Sequence, residues 1–311
     1  MNFQSQQVGL LSLLREYVGT KFSKTKQYCK LLNLDLKYRS TNLHRFYPPI
    51  PKPSTNQNQS PAKNIAEYLC TYLQSTNTVY PFISETSHLN ENSVTLDFGC
   101  GFGTLAAAFS LAGSKNGSYY GYDTNPLVLE FCRNAYHNDI RFNFFGPEID
   151  STTNYLTNKR ITTANEAYAG RKKAHPSKED LAKLLGLNKL SCQVSLSVFT
   201  HMWPEDAVET LRVFQEFSNR DTTFINSWLI LDETAIAAVN LGNADRILPI
   251  EVGGVYTYSQ LNPLVCTAYP IEKLQQVYFD AGHQIIDIKF GSWSGRNNGV
   301  TYQDIVVSKQ K

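Results

Sequence analysis

The segment that most constrains this chain is Leu96-Asp97-Phe98-Gly99-Cys100-Gly101-Phe102-Gly103-Thr104. A short apolar run, SVTLDF, ends in an acid, and three alternating glycines lead straight into the helical pattern TLAAAFSLAG. Glycine lets the backbone turn sharply and lets a ligand approach it closely. The opening of a helix adds unpaired N–H groups and the positive end of a dipole. A strand, a glycine turn and a helix in this order mark the start of an α/β unit with a nucleotide site at the strand's carboxyl end.

Two nucleotide designs compete for such a turn. The dinucleotide fingerprint GxGxxG requires glycine at position 104, where this chain has Thr104. A pyrophosphate is also poorly matched to a carboxylate at Asp97, whereas a cofactor carrying an ammonium and a sulfonium suits it. A second acid supports a nucleotide. Asp123 closes the next strand, SYYGYD, 20 residues after Gly103, where a carboxylate can accept hydrogen bonds from a ribose diol. Taken singly, the glycine turn can be a tight connection and Asp123 a helix cap. Together they point to S-adenosylmethionine.

The alternation continues on both sides. The predicted order is the helix IAEYLCTYL, the strand SVTLDF, its helix, the strand SYYGYD, a helix from Pro126 and the strand IRFNFF. After a polar stretch at 146–190, with a short helix near 177–186, come the strand CQVSLSVF, the helix PEDAVETLRVFQEF and the strand TTFINSWLIL. A second irregular insert spans 241–268. The helix IEKLQQVYFDAG and two loop-joined strands, HQIIDIKFG and TYQDIVVSK, end the chain. Such alternation predicts a mainly parallel sheet with helices on both faces, the last two strands forming an antiparallel hairpin.

Ahead of this domain (62–311) lie two other segments. Residues 1–46 form a basic helical arm with eight Lys or Arg against two acids. This arm suits an acidic substrate or a partner subunit, a second copy of the chain included; the plainer reading is a solvated helix face packed on the main domain. Residues 47–61 hold five of the thirteen prolines in a polar run and read as a linker. The chain's net charge is +2, so the remainder is net negative. That argues against nucleic acid, whose phosphates need a continuous basic surface.

No run of about 18 apolar residues is present, and the N-terminus lacks the basic start of a secretory signal. The six cysteines are scattered with no CxxC pair, which fits reduced thiols in a cytoplasmic protein and gives no sign of a metal cluster.

On DFGCGFG, YYGYD, SLSVFTHMWPED and GSWSGRNNGVTYQDIVV, residues 62–311 resemble the class I S-adenosylmethionine-dependent methyltransferases. The last two motifs look like a bacterial subgroup associated with cell-surface glycan tailoring and natural product biosynthesis. The resemblance implies a Rossmann-like fold: a seven-stranded, mostly parallel sheet closed by the C-terminal antiparallel hairpin. It also implies that Asp97 lies near the methionine amino group and that Gly99, Cys100, Gly101, Phe102 and Gly103 pass under the methionine and ribose. Asp123 is placed on the ribose hydroxyls, with Thr124 beside the adenine. Two departures stand out. The 146–190 stretch is long and polar, so Asp150 is only a guess for the adenine contact. Ser218-Asn219-Arg220-Asp221 replaces the family's Pro-Gly-Gly turn.

Methyl transfer from a sulfonium is an in-line displacement, in which a protein mainly aligns the nucleophile and excludes water. A hydroxyl acceptor gains from a base. His201 is the candidate, since it follows a strand on the carboxyl edge of the sheet and histidine exchanges its proton near neutrality. The plainer reading is a histidine that braces the turn. Phe199 can line the cofactor pocket or pack in the core. Trp203, Trp228, Tyr256 and Trp293 are candidates for stacking on an acceptor, and equally ordinary core aromatics. Arg296 can hold a carboxylate or phosphate, or pair with Asp304.

The expected activity is therefore metal-independent O-methylation of a small molecule, a sugar or other glycan or a natural product. N-, C- or peptide carboxyl methylation and a cofactor-binding scaffold are the alternatives.

Overall fold

The computed structural model describes residues 71–72, 74–146, 178–186, 189–297 and 299–311. The basic arm, the proline-rich linker and Asp150 lie outside these residues.

A π-helical turn, Ser75–Val79, runs into α1 (Tyr80–Thr86). The order that follows is β1 (Val94–Phe98), α2 (Thr104–Ala112), β2 (Ser118–Tyr122), α3 (Pro126–Tyr136), β3 (Phe142–Phe145), α4 (Lys178–Leu185) and β4 (Cys192–Ser195). Then come α5 (Pro204–Gln215), β5 (Thr223–Trp228), β6 (Ile230–Leu231), α6 (Glu233–Asn240), β7 (Ile250–Val252) and β8 (Val255–Thr257). The chain closes with β9 (Thr267–Pro270), α7 (Ile271–Asp280), β10 (His283–Lys289) and β11 (Asp304–Gln310).

Seven strands form one sheet in the order β10-β11-β5-β4-β1-β2-β3. Neighbours from β5 to β3 are parallel, and β11 runs antiparallel to both β5 and β10. This meets the expectation of a mostly parallel sheet with a closing hairpin. The inner strands β4 and β5 are buried along their whole length, as a sheet covered on both faces requires. Two apolar clusters flank it. One joins α5 and α7 through Leu211, Phe214, Leu274 and Tyr278. The other joins α2 and α3 through Leu105, Phe109, Leu129 and Tyr136.

Local chemistry sets the helix starts. Pro204, Glu205 and Asp206 open α5 after an extended Trp203, combining a preset φ with acids at the positive end of the dipole. Asp232 caps α6 by accepting from the Ala235 N–H at 2.9 Å. The turn from α5 to β5 needs no glycine, because the Asn219 side chain accepts from the N–H groups of Asp221 and Thr222 at 2.9 and 3.1 Å.

Two expectations are corrected. The run TTFINSWLIL is not one strand. Its first part is β5 in the large sheet; Ile230–Leu231 then pairs with β9 in a second sheet of order β6-β9-β8-β7. The stretch 241–268, expected to be irregular, supplies β7, β8 and the first residues of β9. The small sheet packs around Trp293, Leu229, Leu248 and Ala268.

Candidate functional site

Parallel strands that all end at one edge leave their connecting loops to form a crevice there. In this chain the loops after β1, β2 and β4 enclose a cavity of about 640 Å³. Asp97, Gly99, Cys100, Gly101 and Phe102 line it from the first loop, Asp123, Thr124 and Asn125 from the second, and Leu196, Ser197, Val198 and His201 from the third. The sequence reading thus finds three elements that the fold brings together.

The first loop takes its shape from its glycines. Gly99, Gly101 and Gly103 have φ of +83°, +52° and +72°, the left-handed region that side chains disfavour. Each serves a different need. A Cβ on Gly99 would stand 2.3 Å from Val198 Cγ2 on the third loop. A Cβ on Gly101 would meet nothing within 4 Å, so this backbone opens onto space at the cavity wall. Gly103 faces Cys132 and Tyr136 of α3 instead of the cavity. It turns the chain into α2 and is not among the residues that line the cavity.

Two carboxylates face this space from neighbouring strand ends. Asp97 is 3% exposed and accepts a short hydrogen bond from the Tyr119 hydroxyl. Burial pushes its pKa up to about 7, opposed by the Tyr119 hydrogen bond and aided by the charge of Asp123. Asp123 accepts from Gly101 N–H at 3.0 Å and Asn125 N–H at 2.8 Å, and desolvation raises its pKa too. Asp123 therefore clamps the second loop to the glycine turn. Cys100 sits between them in contact with Cys132, and that contact and burial hold its thiol well above the usual thiol range. It is a packing group and no nucleophile.

The third loop carries the residues that sequence reasoning missed. Ser197 is a non-glycine residue at φ +60°. Its N–H donates to Ser227 Oγ at 2.7 Å, and that hydroxyl donates to Gln303 Oε1 at 2.6 Å. The strained residue is thus tied through β5 to the C-terminal hairpin. Only its place at the end of the SLS run signalled it.

His201 lines the cavity with its ring exposed. Its Nδ1 lies 2.8 Å from the carbonyl oxygen of Leu264. A carbonyl only accepts, so the neutral ring carries its proton on Nδ1 and keeps the Nε2 lone pair.

Six proposed contacts are placed elsewhere. Phe199 is fully buried and packs on Trp228, ring centroids 4.6 Å apart. Trp228 is itself buried and donates to the Tyr278 hydroxyl at 3.0 Å. Trp203 is 1% exposed within the core cluster of α5. Trp293 is buried beneath the small sheet. Arg296 pairs with Asp232 at 2.6 Å and lies over the Phe290 ring. Its carboxylate partner is Asp232 and not Asp304. Tyr256 is half-buried on the small sheet beside Glu251, away from the cavity lining. All three tryptophans satisfy the burial that their size rewards, which leaves them no face for a ligand.

Among the described residues no group of His, Cys, Asp or Glu is arranged to hold a metal, and no helix is long and apolar enough to cross a membrane.

No family model matches the sequence. Among solved structures the chain is similar to an S-adenosylmethionine-dependent methyltransferase from Clostridium acetobutylicum ATCC 824, with 10% identity, 77% of this chain and 92% of that chain covered, and a TM-score of 0.45. It is also similar to the magnesium protoporphyrin IX methyltransferase of Synechocystis PCC 6803 (13% identity, 90% and 99% covered, TM-score 0.45). A third is DesVI of Streptomyces venezuelae (12% identity, 78% and 92% covered, TM-score 0.46). By its strand order the chain has a Rossmann-like fold, a mostly parallel seven-stranded sheet closed by an antiparallel hairpin.

Proposed function

We propose that this protein is an S-adenosylmethionine-dependent methyltransferase that methylates a hydroxyl of a small molecule, a sugar or natural product. The observation that carries this reading is the convergence of Asp97, Asp123 and the open backbone at Gly101 on one cavity that also holds His201. Two desolvated carboxylates repel a pyrophosphate and attract an ammonium and a sulfonium. Asp97 would hold the amino group. Asp123 has about four lone-pair sites and keeps acceptor capacity for a ribose hydroxyl beyond its bonds to Gly101 and Asn125. The open face of Gly101 leaves room for a ligand against the backbone.

When bound, S-adenosylmethionine supplies a methyl group on an already activated sulfonium. The chain's own contribution is placement and proton handling. The loops after β1 and β4 hold the reactants in line and displace water. His201 takes the hydroxyl proton of the acceptor on Nε2 while Nδ1–H stays on the Leu264 carbonyl, so the positive charge that develops on the ring is stabilised by that contact. A base at the cavity wall supports a hydroxyl acceptor, which must lose a proton. The domain division into arm, linker and enzyme remains part of this reading, as does a cytoplasmic location.

Calorimetric titration with S-adenosylmethionine, S-adenosylhomocysteine and NAD tests it. Micromolar binding of the first two without NAD is expected. Binding of NAD alone overturns the reading, and turnover of no hydroxyl acceptor by a cofactor-binding protein leaves the scaffold alternative.

A further inference from the structure

We infer that Thr257, outside the cavity, is a positioning residue that sets the proton arrangement of His201. The inference rests on the proposed role of His201 as base.

Thr257 lies on β8, the strand held between β7 and β9 by pairings Ile250–Thr257 and Thr257–Thr267. Its backbone is therefore fixed from both sides, and its side chain is fully buried. The Oγ1 hydroxyl donates to the carbonyl of Pro263 at 2.8 Å and accepts from Ser259 N–H at 3.3 Å. One hydroxyl thus closes the loop 258–262 back on its own strand. Ser259 adds a bond from Asn262 N–H at 3.1 Å, and Asn262 accepts from Val265 N–H at 3.1 Å.

These bonds fix the single turn Pro263–Val265. The next carbonyl after the one Thr257 holds belongs to Leu264, the acceptor for His201 Nδ1. The Pro263 and Leu264 carbonyls are separated only by the φ and ψ of Leu264, and the Val265 N–H bond to the Asn262 carbonyl closes the turn around that residue. Holding the Pro263 carbonyl therefore aims that of Leu264. The His201 turn is itself anchored to the same sheet, since the Tyr269 hydroxyl donates to the Met202 carbonyl at 2.8 Å. Both sides of the His201–Leu264 bond are thereby referenced to β8 and β9. A buried hydroxyl with no contact to the cavity decides which ring nitrogen is basic.

The test needs neither cofactor nor acceptor. Long-range proton–nitrogen NMR correlation of protein labelled with ¹⁵N-histidine, at about pH 8, above the usual histidine range, reads each ring's tautomer. His201→Ala identifies the relevant signals among those of the six histidines. The expected result is an Nδ1-protonated His201 in the wild type and in Thr257→Ser, which keeps the hydroxyl. Thr257→Val, close in shape but without the donor, should shift His201 toward the Nε2-protonated form that predominates for free histidine. An Nε2-protonated wild type overturns the inference, as does a Thr257→Val spectrum with His201 unchanged. So does one in which the other five rings move or the protein unfolds, because Thr257 then supports the fold at large. Calorimetric binding of S-adenosylmethionine is independent of all these outcomes, so the inference can fail while the proposed function stands.

Discussion

The indole N–H of Trp293 donates to the carboxylate of Asp304 at 2.7 Å, across the loop that joins the last two strands. The same carboxylate accepts from Ile230 N–H at 2.6 Å and Gly291 N–H at 2.7 Å. Asp304 is fully buried, and three donors from two segments compensate its desolvation. It joins the hairpin loop and the start of the small sheet to β11 of the large one.

Asp304→Ala leaves those three donors without a partner. Buried donors cost about 1–3 kcal/mol each when unpaired, so a loss of about 3 kcal/mol or more is expected in urea denaturation. Asp304→Asn keeps an acceptor and should lose less. Equal, small losses in both would show that the network contributes little.

The glycine turn and the loop after β4 should be coupled. Gly99→Ala combines a left-handed strain of about 1–2 kcal/mol with the clash on Val198, an overpacking of about 1–3 kcal/mol. Val198→Ala removes the clashing methyl, so the double variant should recover the second part. Simple additivity in a double-mutant cycle would refute the contact.

Asp97 should make stability and cofactor binding respond oppositely to pH. Its folded pKa of about 7 lies above the model-peptide 3.8. Between about pH 4 and 7 the folded state therefore holds the extra proton, and stability without cofactor falls as pH rises. A cationic cofactor favours the ionised form, so its affinity should rise through the same range, with proton release on binding. Asp97→Asn should flatten both profiles. A wild-type affinity independent of pH would remove Asp97 from the cation site.

His283 works in the other direction at the opposite end of the sheet. Burial against Phe224 lowers its pKa from 6.5 to about 4. The unfolded chain binds the proton first, so stability falls as pH drops from about 6.5 to 4, by on the order of 3 kcal/mol. His283→Gln should lose this acid sensitivity. Because Asp97 offsets it over the same range, the comparison must be made between variants and not on the wild-type curve alone.

His201→Ala should lower turnover by about 10²-fold or more while leaving S-adenosylmethionine affinity near wild type. Unchanged turnover would leave His201 a brace for the turn.

The glycine turn, both acids and the alternating elements were legible because each is encoded within a few consecutive residues. The conformational demand at Gly99 and Gly101 is local, and so is the strand-end position of Asp97 and Asp123. The tryptophans were not legible in that way. Whether Trp228 faces a ligand or Tyr278 depends on α7, some 50 residues away in sequence, and Trp293 is covered by a sheet built from a segment read as irregular. Strands of two to four residues such as β6, β7 and β8 carry too little periodicity to register. Arg296 looked like an anion site because its partner, Asp232, stands 64 positions earlier.

Between Trp228 and Ile230 a single residue, Leu229, separates strands of two different sheets. That junction has no slack. A linker of several residues would let the small sheet swing as a lid, whereas one buried residue transmits shear directly from β5 to β6. The small sheet therefore stands as a fixed extension of the large one, and the Leu264 carbonyl that meets His201 is held to it.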